Sequence, residues 1–317
     1  MTRLLRAELL RLRSRRMTLF AAILLLVAVA LFQLAVNEAV TPPSGAEVAA
    51  AQREYEQSRQ DWEANHQQYE QDCRDEGLSE QQCVIPAPVE SDLVPQAASF
   101  ATMADVGVYL VAVLVMLTGY LLGASLLGAE VSTGSMANWL TFVPRRGSVL
   151  AAKLLVLAAA TAVAAAVLLA LTLALTALLV RMHGGVVTGV PPLVAMSGRA
   201  VVLAMVAAVL GACLALLTRH TVAALGIILG YVVVSGVLSA LMFTVPALSE
   251  LPPWLPQSNL TAFLRHGSTY EVIQPFAEGG ATLERRISFA HAAVYWAVLT
   301  AVVIAATALV FRRRDVN

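Results

Sequence analysis

Residues 154–180 read LLVLAAATAVAAAVLLALTLALTALLV, a run without a single charge, with Lys153 before it and Arg181 after it. As a helix, at about 1.5 Å per residue, the run is about 40 Å long, more than the roughly 30 Å of a hydrocarbon core. In lipid, every backbone polar group has to find its partner within the segment, so the α-helix is the form expected here. The same reading extends outward in both directions. Charge-free runs at 17–36, 106–128, 200–217, 221–245 and 290–311 make six expected spans. Composition agrees: 58% of the 317 residues are hydrophobic, 13% are charged, and the mean hydropathy is +0.73. A soluble domain carries about 25% charged residues, so the chain is expected to be an all-α integral membrane protein. The run at 17–36 is too long for a signal-peptide core, and no A-x-A-type site follows it, so it is read as an uncleaved first helix.

Orientation follows from the arginines and lysines. With both termini cytoplasmic, the inner segments hold Arg3, Arg6, Arg11, Arg13, Arg15, Arg16, Arg145, Arg146, Lys153, Arg219 and Arg312 to Arg314. That is 13 of the 21 basic residues, concentrated in short segments next to span ends. These are the places where the positive-inside rule operates.

The pieces between the spans differ in character. Residues 1–16 form a basic amphipathic stretch in which Leu5, Leu9 and Leu12 recur at helical spacing among six arginines. Such a stretch is expected as an elbow helix at the cytoplasmic headgroup level. Residues 37–105 form a large extracellular loop; 37–103 carry 13 acidic and 3 basic side chains. Within it, residues 45–72 read as a long helix, with Val48, Tyr55, Trp62 and Tyr69 at seven-residue intervals along one face. That stripe is expected to pack on the protein's own surface or on a second copy, or to recognise a partner. Cys73 and Cys83 follow, on either side of a turn at Gly77, and a disulfide between them is expected in an oxidising compartment. Residues 246–289 form a second extracellular segment, too apolar in its first half for a free loop; short helices dipping into the outer leaflet are expected there, with Trp254 at the interface. Residues 290–317 complete the sixth span and a basic cytoplasmic tail.

Catalytic machinery is not expected. The chain has no G-x-x-x-x-G-K-[ST] phosphate loop, no H-E-x-x-H and no G-x-S-x-G. Its five histidines, at 66, 183, 220, 266 and 291, have no ligand spacing, and no cofactor is implied. Ion-coupled carriers place carboxylates or histidines within their spans, whereas Asp105, Glu130, Lys153, Arg181 and Arg199 all read as span ends. Any energy for transport is therefore expected from elsewhere. Glycine pairs Gly119/Gly123 and Gly226/Gly230 read as helix-packing positions, within one bundle or between copies.

The loop after the second span, 129–153, is the most informative segment. Glu130 is followed by Thr133-Gly134, then an apolar stretch around Met136, Trp139, Leu140 and Val143, then Pro144-Arg145-Arg146 and finally Lys153. The stretch 135–142 reads as a short helix that Pro144 ends. This arrangement resembles the first cytoplasmic loop of ABC-2 type transporter permeases, and the terminal Phe311-Arg-Arg-Arg-Asp-Val316 is similar to that family's usual C-terminus. The long first extracellular loop departs from the shortest family members. The resemblance implies a fold like that of type V ABC exporters: six spans, an elbow helix and a cytoplasmic coupling helix. It implies the permease subunit of a bacterial cell-membrane exporter, paired with a second permease (the same chain or another) and driven by two copies of a separate cytoplasmic ATPase. It also makes Glu130, Thr133, Gly134, Trp139, Pro144, Arg145 and Arg146 the candidate ATPase contacts. Partners are thus the ATPase, a second permease and the bilayer, with no nucleic acid. A non-transporting membrane scaffold or sensor subunit is the alternative.

Overall fold

Two helices set the frame by approaching each other almost backbone to backbone. A computed structural model describes residues 8, 10, 15–76, 83–134, 146–242, 245–273 and 282–313. In chain order these form α1 (Arg16–Val40), α2 (Gly45–Asp75), α3 (Glu90–Leu93), α4 (Phe100–Ser132), α5 (Arg146–Met182), α6 (Val190–Thr218) and α7 (Thr221–Met242). Two short 3₁₀ turns, Pro246–Leu248 and Pro252–Trp254, then lead to α8 (Pro256–Leu264), β1 (Gly267–Ile273), β2 (Thr282–Ser288) and α9 (Phe289–Arg313). The close pair is α4 and α6. A Cβ placed on Gly123 would run into the Ala208 carbonyl oxygen, and one on Gly211 into that of Tyr120. Ala204, Ala208 and Ala212 of α6 lie along this seam. Apolar burial drives little between helices in lipid, so close contact of small residues carries the association.

Among the described residues, six helices are long and apolar enough to cross a membrane: α1, α4, α5, α6, α7 and α9. They run alternately up and down. One end of the bundle gathers the starts of α1, α5 and α7 and the ends of α4, α6 and α9; it is called the Lys153 end below. The opposite end carries α2, α8 and the β1–β2 hairpin. Near the Lys153 end, Leu127 of α4, Leu157 of α5, Ala212 of α6 and Phe311 of α9 pack together. Toward the hairpin end the core is wider: Val29 of α1, Val111 of α4, Leu169 of α5 and Leu203 of α6 meet Phe263 of α8, Ile287 of β2 and Trp296 of α9. Gln33 of α1 is a buried polar rung in this region; its Nε2 donates to the Thr172 carbonyl and the Thr176 hydroxyl, each at 3.3 Å.

The helices reach beyond the charge-free runs. α6 begins at Val190, ten residues before the expected run, with prolines in its first turn, where a missing N–H costs nothing. Arg199, expected at a span end, therefore lies inside a membrane-length helix. α5 likewise starts at Arg146, so Lys153 sits two turns into it. Between α6 and α7 the chain reverses over Arg219 and His220, with Arg219 left-handed at φ 61°. The segment 246–289 holds more than short helices: β1 and β2 pair antiparallel from Gly267↔Ser288 to Ile273↔Thr282. Asn259, part of a sequon-like Asn-Leu-Thr, is fully buried, its Nδ2 donating to the carbonyls of Pro253 and Leu255.

The long helix in the first loop is present and starts in a capping box. The Ser44 side chain accepts from Glu47 N–H, while the Ser44 hydroxyl and N–H both donate to the Glu47 carboxylate. These bonds hold the Glu47 carboxyl below its ordinary range. The cap's contribution is therefore complete above the usual Glu range and is lost only as acidification protonates the group. No residue of α2 is buried, so the helix projects from the bundle, about 45 Å long. The returning chain runs back along it. Cys73 and Cys83 form the expected disulfide, Cα to Cα 5.6 Å, Glu70 accepts from Ile85 N–H at 3.2 Å, and Trp62 Nε1 donates to the Ile85 carbonyl at 3.0 Å. His66 stacks on Trp62 at 4.1 Å. Trp62 thus packs on the returning strand of the same chain, while Tyr69 stays 47% exposed.

Two outcomes follow. Gly211→Ala forces a methyl into the α4–α6 seam and is expected to cost about 1–3 kcal/mol by overpacking, lowering the thermal midpoint. Gly45→Ala, at the exposed start of α2, where the added Cβ meets open space, should melt like the parent. Removing both thiols, Cys73→Ser with Cys83→Ser, should speed hydrogen exchange at Ile85 while leaving amides in α4 and α6 unchanged. Uniform acceleration through the bundle would contradict a role confined to α2 and its return strand.

Candidate functional site

At the Lys153 end, three separate segments bring their charges to one point inside the protein. Lys153 of α5 is 1% exposed, Glu130 near the end of α4 is 4% exposed, and Glu8 of the N-terminal segment is 3% exposed. The Lys153 ammonium donates to Glu8 Oε1 at 2.8 Å and lies 2.8 Å from Glu130 Oε2 and 3.1 Å from Oε1. Arg15 closes the group from its partly exposed side: its guanidinium stands 3.9 Å from Glu130 Oε1 and donates to the Ser125 carbonyl at 3.4 Å. Two carboxylates and two cations balance. An unpaired ion in such surroundings would be costly to desolvate, whereas a hydrogen-bonded, neutral set is tolerated.

The helix that carries Glu130 ends by a local rule. Thr133 is the C-cap, and both its N–H and its hydroxyl donate to the Ala129 carbonyl. Gly134 follows at φ +68°, the left-handed position that glycine takes after a helix at no steric cost. Thr-Gly is thus the stop signal of α4. Thr133 and Gly134 are exposed.

The sequence candidates therefore fall into three groups. Thr133 and Gly134 stand on the surface at the Lys153 end. Glu130 is turned inward, with its carboxylate on Lys153. Trp139, Pro144 and Arg145 lie outside the described residues, as do Leu5, Leu9 and Leu12 of the elbow, and Arg146 is described only as the first residue of α5. The reading from sequence passed over Glu8 and took Lys153 as an orientation marker and as the end of the loop motif, without a partner. A signal for Glu8 was present: positions 5, 8, 9 and 12 share one helical face, so a carboxylate there sits on the leucine stripe. A carboxylate on an apolar stripe calls for a buried cation.

What the cluster does mechanically follows from its geometry. It ties both roots of the α4–α5 connection, and the N-terminal segment with them, at a single ammonium.

Lys153→Met leaves two carboxylates facing each other without their cation. Breaking a buried ion pair from one side costs roughly 3–5 kcal/mol, so the variant should show a clearly lowered thermal midpoint. Adding Glu8→Gln and Glu130→Gln to it should recover part of the loss, since the buried charges then disappear together. A Lys153→Met protein as stable as the parent would mean that the cluster does not hold the two helices.

Among curated proteins none matches the chain. The family profile described as ABC-2 family transporter protein matches it over residues 5–316, from the elbow to the tail, and the chain belongs to that family, as a transmembrane subunit of an ABC transporter.

Proposed function

We propose that the protein is the permease subunit of a bacterial exporter, moving its substrate with ATP hydrolysed by a separate cytoplasmic ATPase, and that the α4–α5 connection is where the ATPase engages it. The observation that carries this reading is the clamp of Glu8, Glu130 and Lys153 at the roots of that connection. A segment whose two ends are fixed to long membrane helices is suited to turning closure of an ATPase dimer into tilting of those helices. In this reading Trp139 is the apolar anchor in the ATPase groove, with Thr133, Gly134, Pro144, Arg145 and Arg146 around it. Glu130 has a different part, holding the base of the lever from inside.

The Lys153 end then faces the cytoplasm in the bacterial cell membrane, with both termini there, consistent with 13 of the 21 basic residues in its segments. The hairpin end and the disulfide-closed α2 face outside, where thiols are oxidised. A second permease is supported by α7. Ala224 is the one residue buried along that helix, while Val232, Val233 and Val237 are more than half exposed and Gly226 and Gly230 face open space. Glycines four apart on a free helix face allow close approach of another helix.

The test is co-purification of a cognate cytoplasmic ABC ATPase co-expressed with this chain, with transport measured in parallel. Buried aromatic anchors dominate interface energy, with truncation costing about 2 kcal/mol or more. Trp139→Ala should therefore reduce ATPase retention or transport strongly at near-normal expression, whereas Gln67→Ala, exposed on α2, should change neither. Full retention and full transport by Trp139→Ala would remove the coupling assignment.

A further inference from the structure

We infer that a cavity at the hairpin end, between α4, α6 and the chain leaving α8, binds the charged head of an anionic amphiphile. The cavity measures about 370 Å³, and its charged lining residues are Asp105, Arg199 and Arg265. Asp105 is already committed: it accepts from the Arg265 guanidinium at 2.6 Å. Arg265 is doubly engaged, since it also lies over the Tyr109 ring, 5.5 Å from its centre. Arg199 is not. Its Nε is buried and has no hydrogen-bond partner among the described residues. One aspartate against two arginines leaves the cavity with a surplus positive charge.

The position of Arg199 makes that surplus meaningful. It is the tenth residue of a membrane-length apolar helix, about 13 Å along the axis from Val190. A guanidinium at such a place is expensive unless an anion or an aqueous cavity receives it. Helical side chains lean toward the N-terminus, and the N-terminus of α6 is at the hairpin end, so the guanidinium is directed toward the cavity mouth. Its planar fork suits the oxygens of a phosphate or carboxylate. Met196 and Leu193, about one and two turns closer to that mouth on the same helix, supply apolar wall beside the charge. A ligand that uses both features has one anionic group and an apolar tail. The cavity lies far from the Lys153 cluster, and its occupancy does not depend on ATPase coupling.

The full-length chain in phosphatidylcholine nanodiscs is the material for the test, with bound lipid counted by native mass spectrometry. Dioctanoyl phosphatidylglycerol is the probe. Dioctanoyl phosphatidylcholine supplies the tail without net charge, and inorganic phosphate the charge without a tail. One phosphatidylglycerol per chain should be retained in preference to phosphatidylcholine, and phosphate should compete only weakly. Arg199→Gln should weaken phosphatidylglycerol binding at least about tenfold, the scale of a charge-assisted hydrogen bond, and Arg199→Lys should restore part of it. Asp105→Asn frees the Arg265 guanidinium to join Arg199 and should tighten binding, an opposite change that loss of folding does not produce. Equal binding of the two lipids, unchanged binding by Arg199→Gln, or phosphate bound as tightly as the lipid would each overturn the inference.

Discussion

Among the described residues, the ammonium of Lys153 is the most deeply buried charge at the Lys153 end of the bundle, and the architecture around it follows from the need to neutralise it. A single carboxylate would leave part of its hydrogen-bonding capacity unused in a low-dielectric site, where a missing partner is costly. Two carboxylates use it, and they come from opposite directions in the chain, Glu8 before the first membrane helix and Glu130 at the end of α4. Meeting that demand holds Glu8, the last turn of α4 and the first turns of α5 together. The helix bodies handle polarity differently. Thr161, Thr172, Ser197, Thr300 and Thr307 each return their hydroxyl to the carbonyl four residues earlier, so these groups need nothing from neighbouring helices. Charge fixes one end of the bundle, and its interior is held by the close fit of small side chains.

That fit is uneven, and the unevenness matters for function. Glycines and alanines bring α4 and α6 into backbone contact. α9 and α1 cover this centre with larger side chains such as Trp296 and Leu25. α7 stands apart, with most of its valines and leucines facing outward. A transporter subunit needs rigid units that move against one another as well as faces that can meet other helices. The tight pair provides the first and the open helix the second.

Much of this was legible in the sequence. Six long uncharged runs specified six helices because lipid leaves the backbone few alternatives, and two cysteines ten positions apart beyond a long polar helix pointed to their bond. Helix limits were less legible, for a consistent reason: charges were read as borders. Arg199 lies well inside α6 because a long side chain carries its guanidinium to a polar cavity, and Lys153 lies inside α5 because two carboxylates neutralise it. The hairpin escaped notice since β2, Thr-Leu-Glu-Arg-Arg-Ile-Ser, buries only Ile287 and shows no alternation. Of the coupling candidates, Thr133-Gly134 stood out in the sequence as a distinctive pair, but its helix-stopping chemistry became plain only from φ of Gly134. Glu130 was named as a contact candidate, and its burial against Lys153 was not legible because Glu8 and Lys153 are distant from it along the chain.

The attachment of α7 has a consequence for biogenesis. Among the described residues, its hydrogen bonds to the rest of the bundle run through two tyrosine hydroxyls and Ser239, whose hydroxyl accepts from Gln257 Nε2 at 3.4 Å. Tyr120 donates to the Ala224 carbonyl near one end at 2.7 Å, and Tyr231 accepts from the Gln257 backbone N–H toward the other at 3.0 Å. The second bond needs α8, which is synthesised after α7. As helices leave the insertion machinery one by one, α4 and α6 hold the small-residue surfaces that let them associate at once. α7 enters the bilayer with one tether available and waits for the chain beyond it. Its final placement is therefore a late event in the life of the nascent protein, completed when the segment bearing Gln257 folds back over the bundle.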